Sequence, residues 1–273
     1  MQSAQLTYLS STKNIVDAAK DLARDGAVHA TALFTTSQTE GRARMGRIWH
    51  SVDGSLHVAL VLRPQVGMTY LNGLTTVCSL AVLDALRSLG AQDIVPKWPN
   101  DLMYKGNKLA SIFVDAGYGE GVFAVCGVHL NVRQNLQLAQ LIVDSFDGSP
   151  CPAAPAFLLD TFTEKSAKAA SPNLSNEYIA TVICDAMLAR VSSWEQDVVS
   201  GKSVAGPIAS VLNEYYDQMD LLTKQVDALL PDGRVVLTGM LAGMDIWGRV
   251  SLLDAEGREY EIAPEQASLR PAR

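Results

Sequence analysis

Apolar positions along the chain follow two rhythms, period two and period 3.6, and the changes between them outline the elements. Gln5–Leu9 reads as a short strand leading through Ser11 and Thr12 into a helix. There Ile15, Ala18, Ala19 and Leu22 recur at helical spacing and Gly26 ends the run. Val28–Thr35 and Leu56–Leu62 read as strands, and Thr36–Arg47 between them lacks apolar periodicity and reads as a loop. Leu71, Leu74, Cys78, Val82, Leu86 and Leu89 mark a long core-facing helix closed by Gly90. Asp93–Trp98 is a strand that stops at Pro99-Asn100-Asp101. Lys108–Asp115 and Val122–Val132 follow as two more strands. The second of these is apolar on both sides of the pleat, which predicts a central position.

Asp147–Ser175 is rich in Ala, Pro and Ser and is expected to hold loops, with a helix opening at the apolar patch Phe157–Leu159. Tyr178, Ile179, Val182, Ile183, Ala186 and Met187 mark an amphipathic helix, and Val211, Leu212 and Tyr215 a further one. From Leu221 the texture changes. Short apolar runs alternate with turn signals at Asp232-Gly233, Gly243-Met244-Asp245, Trp247-Gly248 and Glu256-Gly257. The expected organisation is α+β: a mixed sheet flanked by helices over residues 1–218, then a small β-barrel over residues 219–273. A unit of about 50 residues has little core of its own and should pack on the larger one.

Composition narrows the class. With 273 residues, 48% of them hydrophobic and 19% charged, the chain can bury a full core. No uncharged apolar run approaches the length of a bilayer span, and Met1–Ser11 lacks the basic–apolar–small pattern of a secretory signal. Cys78, Cys126, Cys151 and Cys184 are scattered without a CxxC pair, as expected of reduced cytoplasmic thiols. The net charge of −7 argues against a nucleic-acid-binding domain and makes any local basic cluster informative.

One such cluster exists. Gly41-Arg-Ala-Arg-Met-Gly-Arg-Ile-Trp49 sets Arg42, Arg44 and Arg47 around Gly41 and Gly46, with no acid before Asp53. Glycines let backbone N–H groups approach an anion, and guanidiniums match phosphate geometry. Read on residues alone, the segment fits a solvated basic loop as well as a site for phosphate or nucleic acid. Trp49 either stacks on a flat ring or anchors the loop.

Lys97-Trp-Pro-Asn-Asp101 offers compact polar groups where a strand becomes a turn. Asp101 is a candidate metal ligand, although Asn and Asp are also ordinary turn formers. Lys108 opens the next strand, with Ala110, Ile112 and Val114 expected on its face. Gly127 in the central strand suits close backbone approach. His29, His50, His57 and His129 show no metal-ligand spacing and read as satisfied or exposed histidines.

In this order and spacing the segments resemble the biotin-protein ligase family. Gln38 with Gly41–Trp49 is similar to its GRGRxGRxW loop, Lys97–Asp101 to its KWPND segment, and Lys108-Leu-Ala-Ser-Ile to its KLAGIL strand. Ser11-Thr12 resembles the STN start and Gly127–Val132 the GxGxNV strand. Gly239, Gly243-Met-Asp245, Gly248 and Ser268-Leu-Arg270 resemble the C-terminal barrel.

The resemblance implies a class II synthetase-like catalytic fold with an SH3-like barrel, and a cytoplasmic enzyme that forms biotinyl-5′-AMP from biotin and ATP with Mg²⁺. The biotin then passes to a lysine of a biotin carboxyl carrier domain. By the same resemblance Lys108, Arg44 and Arg42 are catalytic. Ser11, Thr12, Gln38, Gly41, Arg42, Arg44, Lys108 and Ser111 bind biotin. Arg47, Trp49, Asn100, Asp101, Asn131 and Arg270 bind the adenylate, with Asp101 the metal candidate. About ten residues precede Ser11, too few for the operator-binding helix-turn-helix of some members, so neither DNA nor a membrane is an expected partner. The oligomeric state stays open, a homodimer included. Ala43, Lys13, Ser111 and His129 depart from the family pattern. Alternative readings are a lipoate- or octanoate-protein ligase of the same fold, and a biotin-binding sensor with impaired catalysis.

Overall fold

The computed structural model describes residues 3–135, 154–164 and 174–272. Cys151 and the parts of the Ala/Pro/Ser-rich stretch at 147–153 and 165–173 lie outside these. A mixed sheet holds β1 (Gln5–Tyr8), β2 (Thr31–Thr35), β3 (Ser55–Leu62), β4 (Ile94–Lys97), β5 (Asp101–Tyr104), β6 (Asn107–Gly119) and β7 (Gly121–Asn131). Their spatial order is β1-β2-β3-β7-β6-β5-β4. Among the described strands only β1 and β2 pair in parallel. The strand that is apolar on both faces, β7, is central as its pattern predicts.

Helix α1 (Ile15–Arg24) covers one face, packing Ile15, Ala19 and Ala23 on Leu33, Ala59, Val61, Phe123 and Val125. Asn14 caps it by accepting from the Val16 and Asp17 amides, a role the sequence reading missed. Gly127 lies under α1, and a Cβ there would collide with Val16. The other face carries α2 (Leu74–Ser88) and α3 (Asn176–Val199) in the main core. The apolar stretch Met68–Ser88 has the length and composition of a membrane span, but 72% of its most apolar window is buried inside the fold, as befits a core helix.

Several boundaries differ from expectation. β2 begins at Thr31, because Ala30 takes a positive φ of 71° and Val28 is exposed. Leu22 is exposed, and Ala23 takes its place in the buried stripe of α1. The patch at Phe157 opens a 3-10 turn, Leu158–Thr161, rather than a helix. Asp101–Tyr104 is a strand where a turn was expected.

After α4 (Leu212–Gln218), a second sheet of five antiparallel strands forms the SH3-like unit: β8 (Gln225–Leu229), β9 (Val235–Met244), β10 (Val250–Leu253), β11 (Glu259–Ile262) and β12 (Ser268–Pro271), ordered β11-β10-β9-β8-β12. Gly233, Gly248 and Gly257 take positive φ in its turns, at three of the predicted signals. Gly243-Met244, the other signal, ends β9 instead. The unit is tied to the larger domain by Trp98 Nε1, which donates to the Gly248 carbonyl at 2.8 Å, and by the Met244 amide, which donates to the Tyr216 hydroxyl at 2.6 Å.

Candidate anion and acyl site

Strand register aligns six polar side chains across the α1 face of the sheet. Thr35 opposes His57, His57 opposes His129, His129 opposes Ser111, Ser111 opposes Asp101, and Asp101 opposes Lys97. All six are buried. A polar row inside an apolar sheet is costly unless its members bond one another or a ligand.

Lys108 joins this row through an irregularity. Between β5 and β6 the register shifts, so Leu102 opposes Ala110 while Met103 opposes Lys108. The bulge puts Lys108 on the face of Ser111 and Asp101, not on that of Ala110, Ile112 and Val114 as simple alternation predicts. Lys108 Nζ lies 2.8 Å from Asp101 Oδ1, and Lys97 Nζ 3.7 Å from Oδ2. Ser111 Oγ donates to Asp101 at 2.8 Å and accepts from Asn100 Nδ2 at 3.1 Å. Burial favours the neutral acid at Asp101, but Lys108, Lys97 and the Ser111 hydroxyl outweigh it and hold its pKa down at about 2. Asn100 also donates to the Ile112 carbonyl, and Asn131 Nδ2 to the Lys108 carbonyl at 3.3 Å.

The arginine segment folds back on itself above this row. The Ala43 amide donates to Arg47 and the Trp49 amide to Gly41, around a 3-10 turn at Arg44–Gly46 where Met45 and Gly46 have positive φ. A Cβ on Gly41 would collide with the Trp49 carbonyl oxygen, so glycine permits the closure. Trp49 is buried, 5.3 Å from the His129 ring, and Lys108 Nζ sits 5.4 Å from its centroid. It therefore anchors the loop. Gln38 Oε1 accepts from the Ile15 amide at 2.8 Å, while its Nε2 is buried without a protein partner, as is Trp49 Nε1. Backbone pairing sets Thr12 beside Gln38. Ser11 is exposed and meets the Ser37 hydroxyl at 3.5 Å.

The three arginines divide. Arg42 pairs with Asp17 of α1 and is largely exposed. Arg44 donates to the Ala267 carbonyl at 2.5 Å and to Ser268 Oγ at 3.1 Å, and Arg47 donates to the same Ser268 Oγ at 2.6 Å. Burial, then the neighbouring Arg47 charge, push the Arg44 pKa down to about 10 against the pull of Asp101 and Glu265. Arg270 is held in the second sheet by Asp227 at 3.0 Å. A cavity of about 820 Å³ opens beside the loop, lined in part by Arg42, Arg44, Asn100, Phe113, Trp247 and Glu265. Among the described residues no group of three His, Cys, Asp or Glu is placed to hold a metal. Asp101 is committed to two lysines and a hydroxyl, so the metal role expected of it does not fit.

Fold and site together define an α+β domain in which a cationic hairpin, closed at Trp49, lies beside a strand-borne lysine. Over residues 9–131 the chain matches the biotin/lipoate A/B protein ligase family. It is 32% identical over 129 residues to the bifunctional ligase/repressor BirA of Bacillus subtilis, covering 46% of this chain and 39% of that protein. It is 41% identical over 104 residues to a biotin–[acetyl-CoA-carboxylase] ligase of Paracoccus denitrificans, covering 37% of this chain and 43% of that one. The chain thus spans about two-fifths of the length of these curated relatives. The biotin protein ligase of Aquifex aeolicus, solved with biotin and ATP, shares the fold at TM-score 0.73 and 20% identity, over 98% of this chain and 99% of that one. A biotin protein ligase-like protein of unknown function from a Silicibacter species does so at TM-score 0.64 and 16% identity, over 96% and 94%.

Proposed function

We propose that the chain is an ATP-dependent biotin-protein ligase. The carboxylate oxygen of biotin attacks the α-phosphorus of ATP, the bond to pyrophosphate breaks, and biotinyl-5′-AMP forms. The amine of a carrier lysine, in a biotin carboxyl carrier domain, then attacks the acyl carbon and AMP leaves. The observation that carries this reading is a pair of guanidiniums, Arg44 and Arg47, held together on Ser268 Oγ against their mutual repulsion, with Arg44 coupled to the same Asp101 that fixes the Lys108 ammonium. Preorganised cations in a water-poor site favour charge growing on a phosphoryl group. Lys108 serves carboxylate and α-phosphate, Arg44 and Arg47 the phosphate, and the Gly41–Trp49 hairpin excludes water from the mixed anhydride. The buried, unpartnered N–H groups of Gln38 and Trp49 suit an acid with a polar, carbonyl-bearing head. Mg²⁺ is expected to accompany ATP and is assigned no ligand from the protein.

Pyrophosphate release with ATP, Mg²⁺ and biotin, lipoate or octanoate in turn tests the reading. Release with biotin alone supports it, and release with lipoate or octanoate but not biotin replaces it with the lipoyl-type ligase. A sensor is favoured by one observation: His129 and Ser111 put side chains at the sheet centre, and biotin binding without pyrophosphate release would select it. Lys108→Ala is expected to lower pyrophosphate release by at least about 100-fold, the scale of one lost transition-state contact. Near-normal turnover would remove Lys108 from the chemistry.

A further inference from the structure

Two buried histidines lie at the middle of the polar row, and nothing in the adenylation reading uses them. His57 Nδ1 and His129 Nδ1 are 3.0 Å apart. Both rings are fully buried, crossed edge-to-face at 4.8 Å between centroids. Two Nδ1 atoms at that distance need one proton between them, so one ring donates and the other accepts. The direction follows from the Ser51 end. The Gln38 amide donates to Ser51 Oγ at 3.0 Å, and Ser51 Oγ lies 2.8 Å from His57 Nε2. With its hydroxyl proton given to His57 Nε2, Ser51 leaves His57 protonated on Nδ1, which donates to His129 Nδ1. The remaining proton of His129 is then on Nε2, an atom that is buried without a hydrogen-bond partner in the protein, while the Arg42 backbone favours a proton on the ring.

We propose that Ser51, His57 and His129 form a one-way hydrogen-bond chain that seats the Gly41–Trp49 hairpin on the sheet, which makes the two histidines positioning residues for its arginines. Gln38 enters the hairpin and Ser51 follows its exit, so the first link closes the base. The last ring lies against Trp49, the residue that closes the hairpin, with Phe113 on its other side at 5.0 Å. Base and closure of the loop therefore rest on the same imidazole pair. The charged groups around it are Lys108 from β6 and Asp101 beyond Ser111 on β5; Arg42 meets His129 only through its backbone, its guanidinium pairing with Asp17. Burial, and the charge of Lys108, hold His129 neutral through the physiological range, and burial and His129 do the same for His57. The chain thus keeps its direction from pH 8 to pH 5 rather than acting as a switch.

The role in catalysis rests on the proposed ligase reading, but the chain itself is tested without activity. Nitrogen-15 histidine NMR of the wild-type protein should show His57 as the Nδ1–H tautomer and His129 as the Nε2–H tautomer, both unchanged between pH 8 and pH 5. The double variant His57→Phe/His129→Phe removes both partners of the central bond while keeping ring shape, a change that costs little stability. In it the amides of Gln38, Ala43 and Trp49 should exchange about tenfold faster, the effect of losing about one hydrogen bond, while those of β3 and β7 stay protected. His57 found protonated on Nε2, or hairpin amides with unchanged protection, would overturn the proposal. Should the double variant fail to fold, the wild-type tautomers still decide. Loosened hairpin amides in a protein that never releases pyrophosphate would sink the ligase reading and leave the chain standing.

Discussion

Asp101 sets the electrostatics of the site at the scale of single residues. Its pKa is lowered from 3.8 to about 2 by Lys108, Lys97 and Ser111. A depressed acid contributes stability above its unfolded pKa and loses it as pH falls through the folded value. The ion-paired carboxylate therefore adds about 2 kcal/mol at neutral pH, lost between about pH 4 and pH 2. Asp101→Asn leaves two lysines facing each other under cover, and we expect it to be less stable at pH 7 by on the order of 3 kcal/mol. Urea denaturation across pH should show this difference shrinking below pH 4; a gap independent of pH would mean the carboxylate is not ion-paired. The same residue marks a limit of sequence reading. The Lys97–Asp101 segment was legible as a polar cluster, yet the partners of Asp101 depend on a bulge that side-chain alternation cannot announce.

Elements were legible where an apolar rhythm persisted, and length alone did not decide it: α3 runs to Val199, well past the Tyr178–Met187 marked in advance, and β6 to Gly119, past the expected Asp115. The rhythms of β3 and β7 set them within a residue, and that of α2 within three residues at its start, because each buries a long apolar stripe or both faces of the pleat. Strand β5 was not, since Asp-Leu-Met-Tyr is too short to show a period. A signal was present in Lys105-Gly106, both at positive φ in a two-residue hairpin turn. Register is invisible in one sequence, so His57 and His129, 72 residues apart, could not be paired in advance. The arginine hairpin lay between these cases: its glycines and cations were readable, its closure on Trp49 was not. Gly41→Ala tests that closure. The added methyl group must displace the Trp49 carbonyl, a steric cost of about 1–3 kcal/mol that falls on the lid. If the proposed reaction holds, activated biotin should escape about tenfold faster, a shift of about 1.4 kcal/mol. Hydroxylamine trapping of free acyl-adenylate measures it, and unchanged escape would show that the hairpin does not retain the intermediate.

At the scale of the molecule, the second sheet is joined to the chemistry and not merely appended. Its β12 start, Ala267–Ser268, accepts hydrogen bonds from Arg44 and Arg47, and its β9–β10 turn accepts from Trp98 next to Asn100. Ser268 Oγ thus shares two guanidiniums that the proposed reaction requires at phosphate. A ligand shifts such an equilibrium only by its differential affinity for the two arrangements. If the arginines leave Ser268 for ATP, Ser268→Ala removes bonds from the free state and none from the bound state. ATP should then bind more tightly, by about 1 kcal/mol or roughly fivefold. Calorimetric titration of ATP into the two proteins decides the matter. Weaker binding in Ser268→Ala would mean that Ser268 keeps the arginines aimed in the bound state, and the second sheet would then be part of the phosphate site itself.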